Sequence, residues 1–251
     1  MKSKTRTGGA VKAVVSVLAA LALAVTFVGA GFAACAVPSQ TTELLSRLYS
    51  GSPDTPFSHA QLVQAAVETR DYTVGQHDRA SLFAVLHDIN EAAGTPYATA
   101  DESALAQAPE AYTLTEDALS HLDDVYRVVQ TAQAALIGIA VFAVGSCLFL
   151  GVQARRRRVG SVLIGAGGGI IVVLIGLGAW ALVDFYGFFA AFHSLFFSSG
   201  TWTFSADSLL ITMYPLDFWM GMGVVWLAVT GVLSILAIVT GAVLKRSASG
   251  S

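Results

Sequence analysis

The sequence predicts an all-α, polytopic membrane protein with four transmembrane helices and an outer helical cap. Hydrophobic residues make up 55% of the 251 positions and charged residues only 12%, which is too apolar for an ordinary soluble domain. Four apolar stretches are each long enough to exceed the roughly 20 residues that a helix needs to cross the hydrocarbon layer. These stretches cover residues 11–37, 131–153, 160–183 and 218–244.

Basic residues cluster at three points that a four-helix arrangement places on one side of the membrane. The first cluster lies before and at the beginning of the first stretch and contains Lys2, Lys4, Arg6 and Lys12. Residues 155–158 are all arginine, and Lys245 and Arg246 follow the fourth stretch. The positive-inside rule makes this side cytoplasmic, so we expect both termini inside. Residues 38–130 hold fourteen acidic and four basic residues, and we expect them outside. This balance excludes a nucleic-acid-binding surface.

We expect the chain to divide into three parts. Residues 1–37 form an N-terminal transmembrane anchor, and residues 38–130 form an extracytoplasmic helical cap. Residues 131–251 contain the other three transmembrane helices and an outer aromatic loop at 184–218. The first apolar stretch is longer than the core of about 7–15 residues that is typical of a signal peptide, so we expect an uncleaved anchor. The alternative is cleavage near Cys35.

The cap shows the apolar periodicity of helices. The pattern predicts helices over residues 41–50, 58–69 and 79–93. Thr113 and Glu116 match a capping box, so we expect a helix to begin there and to continue unbroken through His121 into the second apolar stretch. A glycine-rich run at 165–169 lies inside an apolar helix, which favours close helix packing over a dinucleotide-binding loop.

Two histidines lie at matched distances from the arginine cluster. His121 is 33 residues before Ala154, and His193 is 34 residues after Val159. Two antiparallel helices would therefore bring the two imidazoles to a similar height. Straight helices would carry them about 20 Å beyond a hydrocarbon core of about 30 Å. Access to a lipid ester then requires tilt or a break, which we expect at Gly187.

The segment around His193 is rich in aromatic side chains. One interpretation is the aromatic belt that membrane proteins place at the interface, and the other is a lipid-facing cleft around a reactive polar group. We favour the cleft because His193 is embedded in it. The candidate substrate-binding residues are Phe189, Phe192, Phe196, Phe197, Trp202, Tyr214 and Trp219.

Three sequence motifs resemble the integral membrane family of the lipoprotein intramolecular transacylase Lit. The first is a His-Leu-Asp-Asp-Val run at 121–125, and the second is the Phe-rich segment 188–197. The third is a Trp-Thr-Phe run at 202–204 that is followed by 207–211 and 214–219. The resemblance covers residue 116 to the C-terminus. It implies a bacterial cell-membrane enzyme with an extracytoplasmic active face.

The resemblance also implies the reaction. Such enzymes move the sn-2 acyl chain of a diacylglyceryl lipoprotein to the amine of its N-terminal cysteine, which gives a lyso-form lipoprotein. Aminolysis of an ester needs a base and an acid, and imidazole can serve as both near neutral pH. The candidate catalytic residues are His121, His193 and Asp124. Asp124 or Asp117 could orient His121, whereas His193 could act as acid–base partner, oxyanion stabiliser or nucleophile.

Other functions fit the same residues. One is a non-catalytic membrane protein that binds membrane lipids or a partner at its outer face, and another is an ester hydrolase. Both histidines and Asp124 could ligate zinc, but no HExxH-like spacing supports this, and we expect neither a metal nor a cofactor. His59, His77 and His87 lie outside the motifs, and we expect them to be solvated.

Overall fold

The computed structural model describes residues 2–154 and 156–248, and Arg155 of the arginine cluster lies outside these ranges. The described residues form ten α-helices and no β-strand, which confirms the all-α class. The helices are α1 (Lys2–Ala36), α2 (Ser39–Tyr49), α3 (His59–Val74), α4 (Arg79–Ala93), α5 (Glu102–Ala106), α6 (Glu116–Ala154), α7 (Arg156–Val183), α8 (Phe185–Ser194), α9 (Leu209–Met213) and α10 (Leu216–Ser247).

In the part of the chain that the structure describes, four helices are long and apolar enough to cross a membrane. The segments are Gly9–Ala36, Glu116–Val152, Arg156–Val183 and Leu216–Ser247. Each coincides with one apolar stretch of the sequence, and each exceeds the roughly 20 residues that a bilayer requires. The prediction of four transmembrane helices is therefore confirmed, and the chain is a multi-pass membrane protein.

The described residues pack into two compact units, of which the first contains most of the apolar helices. Its described residues are 2–32, 132–154, 156–183 and 226–248. Ala19, Leu150 and Val162 form its buried contact between α1, α6 and α7. The indole N–H of Trp226 on α10 donates to the carbonyl of Val28 on α1 at 3.1 Å.

Glycines bring α7 and α10 into backbone contact within this unit. A Cβ atom on Gly160 would lie 2.5 Å from the carbonyl oxygen of Gly241, and one on Gly167 would lie 2.4 Å from that of Ser234. No side chain fits at either distance, so small residues permit this approach. Gly168, by contrast, has open space at its Cβ position.

The second unit contains the cap and the aromatic loop. It consists of residues 33–131 and 184–225. Backbone hydrogen bonds connect α9 to the cap, from Leu209 N to Glu110 O at 2.7 Å and from Gly51 N to Thr212 O at 3.0 Å. The fully buried apolar side chains of this unit include Leu62, Leu82, Leu86, Ile89, Leu105, Leu114, Leu119, Leu209, Met213 and Phe218.

The cap helices follow the predicted positions, with differences at their ends. Helix α4 matches its predicted range, whereas α3 continues five residues further, to Val74. Ser58 and Gln61 form a capping box at the start of α3, which explains why this helix begins there. Gly94 ends α4 in the left-handed conformation, with φ of 62°.

The start of α6 corrects the predicted capping box. The helix begins at Glu116, and the hydroxyl of Thr115 accepts a hydrogen bond from Ala118 N at 3.4 Å. Thr115 therefore takes the capping position assigned to Thr113 from the sequence. Thr113 is instead buried, at 1% exposure, and its hydroxyl has no hydrogen-bond partner among the described residues. The predicted continuity of the helix past His121 is confirmed.

The break after α7 lies at Asp184, not at Gly187. Helix α7 ends at Val183, and the carboxylate of Asp184 caps α8 by accepting from Gly187 N at 2.8 Å. A Cβ atom on Gly187 would lie 2.0 Å from that carboxylate. The glycine therefore makes room for the cap, and His193 stands on a helix separate from α7.

His77 is not solvated as expected. Its ring is stacked between Tyr72 and Tyr126, with centroid distances of 4.2 and 4.0 Å. Its Nδ1 lies 3.0 Å from the carbonyl of Tyr72, and its Nε2 lies 3.5 Å from Asp123. The hydroxyl of Tyr72 donates to the same carboxylate at 2.6 Å. Two aromatic faces and a carboxylate hold this histidine, with a left-handed φ of 57°.

Candidate active site

His121 and His193 meet inside the second unit. His121 lies in the second turn of α6, and His193 lies in the last turn of α8. Their ring centroids are 6.3 Å apart, and the ring planes are inclined by 29°. Each histidine is only 8% exposed. The two titratable rings that the sequence singles out are therefore neighbours in a buried setting.

A backbone contact sets the protonation of His193. Its Nδ1 lies 3.0 Å from the carbonyl oxygen of Phe189, one turn earlier on α8. A carbonyl only accepts, so Nδ1 carries the hydrogen in this bond and Nε2 of the neutral ring keeps its lone pair. Burial lowers the pKa of His193 below its ordinary value, and the hydrogen bond to Phe189 raises it in part. Burial therefore favours the neutral ring, with a lone pair on Nε2.

His121 has an unsatisfied polar atom. Its Nδ1 is buried and has no hydrogen-bond partner among the described residues. Phe197 packs edge-on against this ring at 4.8 Å, and Phe204 lies at 5.7 Å. A buried polar nitrogen in apolar surroundings costs free energy unless a partner arrives. A bound substrate is one such partner.

Aromatic rings enclose His193. Phe189 lies 4.0 Å from its centroid, and Trp202 lies 4.8 Å away with an interplanar angle of 33°. Phe197 touches both histidines, at 5.7 Å from His193 and 4.8 Å from His121. The predicted residues Phe189, Phe197 and Trp202 therefore line the pair.

The other predicted aromatic residues lie farther out. Phe192 is 5.8 Å from His193 and packs edge-on against Phe196 at 5.3 Å. These two phenylalanines are 49% and 48% exposed. Tyr214 is buried, and its hydroxyl donates to the carbonyl of Ala66, so it belongs to the core. Trp219 bridges these groups, 5.9 Å from Tyr214 and 5.8 Å from Phe189.

Asp124 forms its ion pair with Arg127, at 2.9 Å, and not with a histidine. Its side chain is 43% exposed. The orienting role assigned to Asp124 from its spacing stays a prediction.

Phe204 is a site residue that the sequence reasoning did not select. Its ring centroid lies 5.7 Å from that of His121. Phe204 is the last residue of the Trp-Thr-Phe run, and Trp202 is the first. Residues 203 and 204 lie outside helices. In an extended segment, residues two positions apart, such as Trp202 and Phe204, point to the same face. The two-residue spacing from Trp202 was therefore the sequence signal that could have indicated Phe204.

One cluster outside the histidine pair has ligands for a cation. Oxygen and nitrogen atoms of His87, Asp88 and Glu91 on α4 lie within 4.8 Å of one another. Asp88 and Glu91 are exposed, as acidic groups on a solvated helix face commonly are. The cluster carries no assignment.

Comparison with known proteins identifies the family. The model of the family described as lipoprotein intramolecular transacylase Lit matches residues 59–219. The chain belongs to the Lit family. It is therefore an acyltransferase that acts on a lipoprotein. The matched region begins at His59, in the cap, whereas the resemblance of the sequence motifs begins only at residue 116. Most of the cap is therefore part of the family fold.

Solved structures support the Lit fold. The chain resembles the membrane-integral lipoprotein intramolecular transacylase Lit from Bacillus cereus with a TM-score of 0.73 and 17% identity, over 97% of this chain and 100% of that chain. It also matches a variant of that enzyme with a histidine changed to arginine, with a TM-score of 0.68 and 17% identity, over 100% of this chain and 99% of the other. No curated protein matches the chain significantly.

Proposed function

We propose that this Lit-family enzyme moves the sn-2 acyl chain of a diacylglyceryl lipoprotein to the α-amine of its N-terminal cysteine. The observation that carries the proposal is the buried pair of His121 and His193, with ring centroids 6.3 Å apart and an aromatic lining. Aminolysis of an ester removes a proton from the attacking amine nitrogen and adds a proton to the departing oxygen. Two adjacent imidazoles can carry out both transfers.

His193 is the general base in this proposal. The amine nitrogen attacks the ester carbonyl carbon and forms the new N–C bond, while its proton passes to Nε2 of His193. The bond between Nδ1 and the Phe189 carbonyl leaves Nε2 free for this proton and stabilises the imidazolium that forms. The carbonyl oxygen carries the negative charge of the tetrahedral intermediate.

His121 completes the proton transfer. The intermediate collapses, the bond from the acyl carbon to the glyceryl oxygen breaks, and the departing alkoxide needs one proton. His121 receives the proton from His193 and delivers it to that oxygen, so both rings return to the neutral state. The products are an amide and an alcohol. The unsatisfied Nδ1 of His121 gains a partner when substrate binds.

The aromatic side chains bind the acyl chains in this proposal. Phe192 and Phe196 are half exposed beside the histidine pair, which suits contact with hydrocarbon. The three basic clusters favour both termini in the cytoplasm. We therefore place the histidine pair at the extracytoplasmic face, where lipoprotein N-termini and membrane lipids meet.

Lipoprotein N-terminal peptides from a bacterium that expresses the chain test the proposal. Mass spectrometry should detect N-acylated peptides with a single ester-linked chain, whereas the host without the gene should retain two ester-linked chains and a free amine. Free fatty acid with loss of one chain would instead indicate an ester hydrolase. Unchanged peptides would contradict acyl transfer on these substrates.

A further inference from the structure

The indole N–H of Trp202 is a buried donor without an acceptor. Its Nε1 is inaccessible to solvent and has no hydrogen-bond partner among the described residues. Loss of water without a replacement acceptor is unfavourable for such a group. Trp226, in contrast, donates its N–H to the carbonyl of Val28 at 3.1 Å. The orphaned donor of Trp202 therefore requires an explanation.

The ring that carries this donor packs on the proposed base. Trp202 lies 4.8 Å from His193, with planes inclined by 33°, and 6.5 Å from Phe189. The other described rings in contact with the two histidines are Phe189, Phe192, Phe197 and Phe204, which have no hydrogen to donate. Among these rings, the indole alone offers an N–H to a substrate oxygen.

We propose that the Nε1–H of Trp202 donates a hydrogen bond to the carbonyl oxygen of the ester under attack. This inference rests on the proposed function. When the amine adds to the carbonyl carbon, two electrons of the C=O bond move to that oxygen, which becomes negatively charged. The indole hydrogen bond strengthens at this point and weakens again when the C=O bond re-forms. Trp202 loses no proton, so the reaction balances without it.

A low local dielectric makes this donor effective. Phenylalanine rings line the two histidines, and a hydrogen bond to an anion is stronger in such surroundings than in water. The indole ring packs beside the His193 and Phe189 pair, so the donor is held next to the proposed base before substrate arrives. Removing one oxyanion donor from other enzymes lowers kcat by about 100- to 1,000-fold.

A single-atom change separates the donor from the ring. Site-specific replacement of Trp202 by benzothienylalanine exchanges the N–H for sulfur and keeps the bicyclic shape. With a purified enzyme and a diacylglyceryl lipopeptide, we expect kcat to fall by roughly a hundredfold, with KM changed less than about threefold. Benzothienylalanine at position 226, where the indole N–H already donates to the carbonyl of Val28, is the matched control and should retain the parental kcat.

Each result bears on the inference. Parental kcat in the sulfur variant at position 202, or a raised KM with unchanged kcat, would overturn it while leaving N-acyl transfer by the parent intact. No N-acyl product from the parent would instead contradict the proposed function. If the sulfur variant is not recovered folded, 5-fluorotryptophan at position 202 provides the second measurement. Its more acidic N–H should raise kcat severalfold, and an unchanged or lower kcat would count against the donor.

Discussion

His121 and His193 lie on different helices, and their ring centroids are 6.3 Å apart within a buried aromatic lining. The stretch of chain between them includes α7 and the break at Asp184. Within the described part of the chain, no acidic side chain lies within hydrogen-bonding distance of either ring: His193 bonds to a backbone carbonyl, and Nδ1 of His121 has no partner. In the proposed mechanism the two imidazoles exchange protons with each other and with the substrate.

Replacing His193 should nearly abolish acyl transfer. We expect both His193→Ala and His193→Asn to lose about a hundredfold or more in rate, because neither side chain accepts the proton of the amine. His121→Ala should behave similarly, and the double variant should be little worse than either single one if the pair acts as a unit. His87→Ala, on the exposed face of α4, should change nothing. A fully active His193→Ala enzyme would exclude this residue as the base.

Acyl transfer should fall as the pH drops through the pKa of His193. Burial holds this pKa below the ordinary value of about 6.5, so the ring is neutral and able to accept a proton at pH 7. Below its pKa the imidazolium has no lone pair to offer. The pH–rate profile of kcat should therefore show an acidic limb at a pH below about 6.5, and this limb should disappear from the residual activity of His193→Asn. A limb unchanged in that variant would assign the titration to another group.

Two neighbouring glycines of α7 should respond oppositely to the same change. Gly167→Ala places a Cβ 2.4 Å from the carbonyl oxygen of Ser234, and we expect a loss of about 1–3 kcal/mol in unfolding free energy from overpacking. Gly168→Ala meets open space and should be neutral or stabilising by up to about 1 kcal/mol through helix propensity. Unfolding in detergent measures both. Equal effects would contradict the close contact of α7 with α10.

The hydrogen bond from Tyr72 to Asp123 should stabilise the cap. Tyr72→Phe keeps the ring stacked on His77 but removes the donor at 2.6 Å, and we expect a cost of about 1 kcal/mol in unfolding free energy. Tyr186→Phe, on a side chain that is 73% exposed, serves as the comparison and should leave stability unchanged. A Tyr72→Phe protein as stable as the parent would show that the bond contributes nothing net.

Sequence patterns predicted the structural features that depend on local composition and on the spacing of apolar residues. The four apolar helices, the range of α4 and the unbroken course of α6 past His121 follow from apolar spacing and length. The helix break was predicted at Gly187 because glycine is a common helix breaker. The break lies at Asp184 instead, and Gly187 makes room for the aspartate cap. The cap of α6 was misplaced by two residues because burial of Thr113 outweighed its local capping pattern.

The lining of the histidine pair was predicted only in part. Phe189, Phe197 and Trp202 were selected from their position near His193, but Phe204 was not, since its contact with His121 joins residues 83 positions apart. The sandwich around His77 likewise joins Tyr72 on α3 to Tyr126 on α6. Such contacts depend on how the helices pack, and for Phe204 the two-residue spacing from Trp202 was a local signal that did not identify His121 as its partner.

The most direct test uses a synthetic diacylglyceryl lipopeptide with palmitate at sn-1 and oleate at sn-2. Because the proposed transfer is intramolecular, the purified enzyme should leave the total mass unchanged while moving oleate to the cysteine nitrogen. Mild alkali should then release palmitate and leave oleate on the peptide as an amide, and His193→Ala should leave both chains alkali-labile. Free oleate with a lighter peptide, or palmitate retained on the nitrogen, would contradict the account.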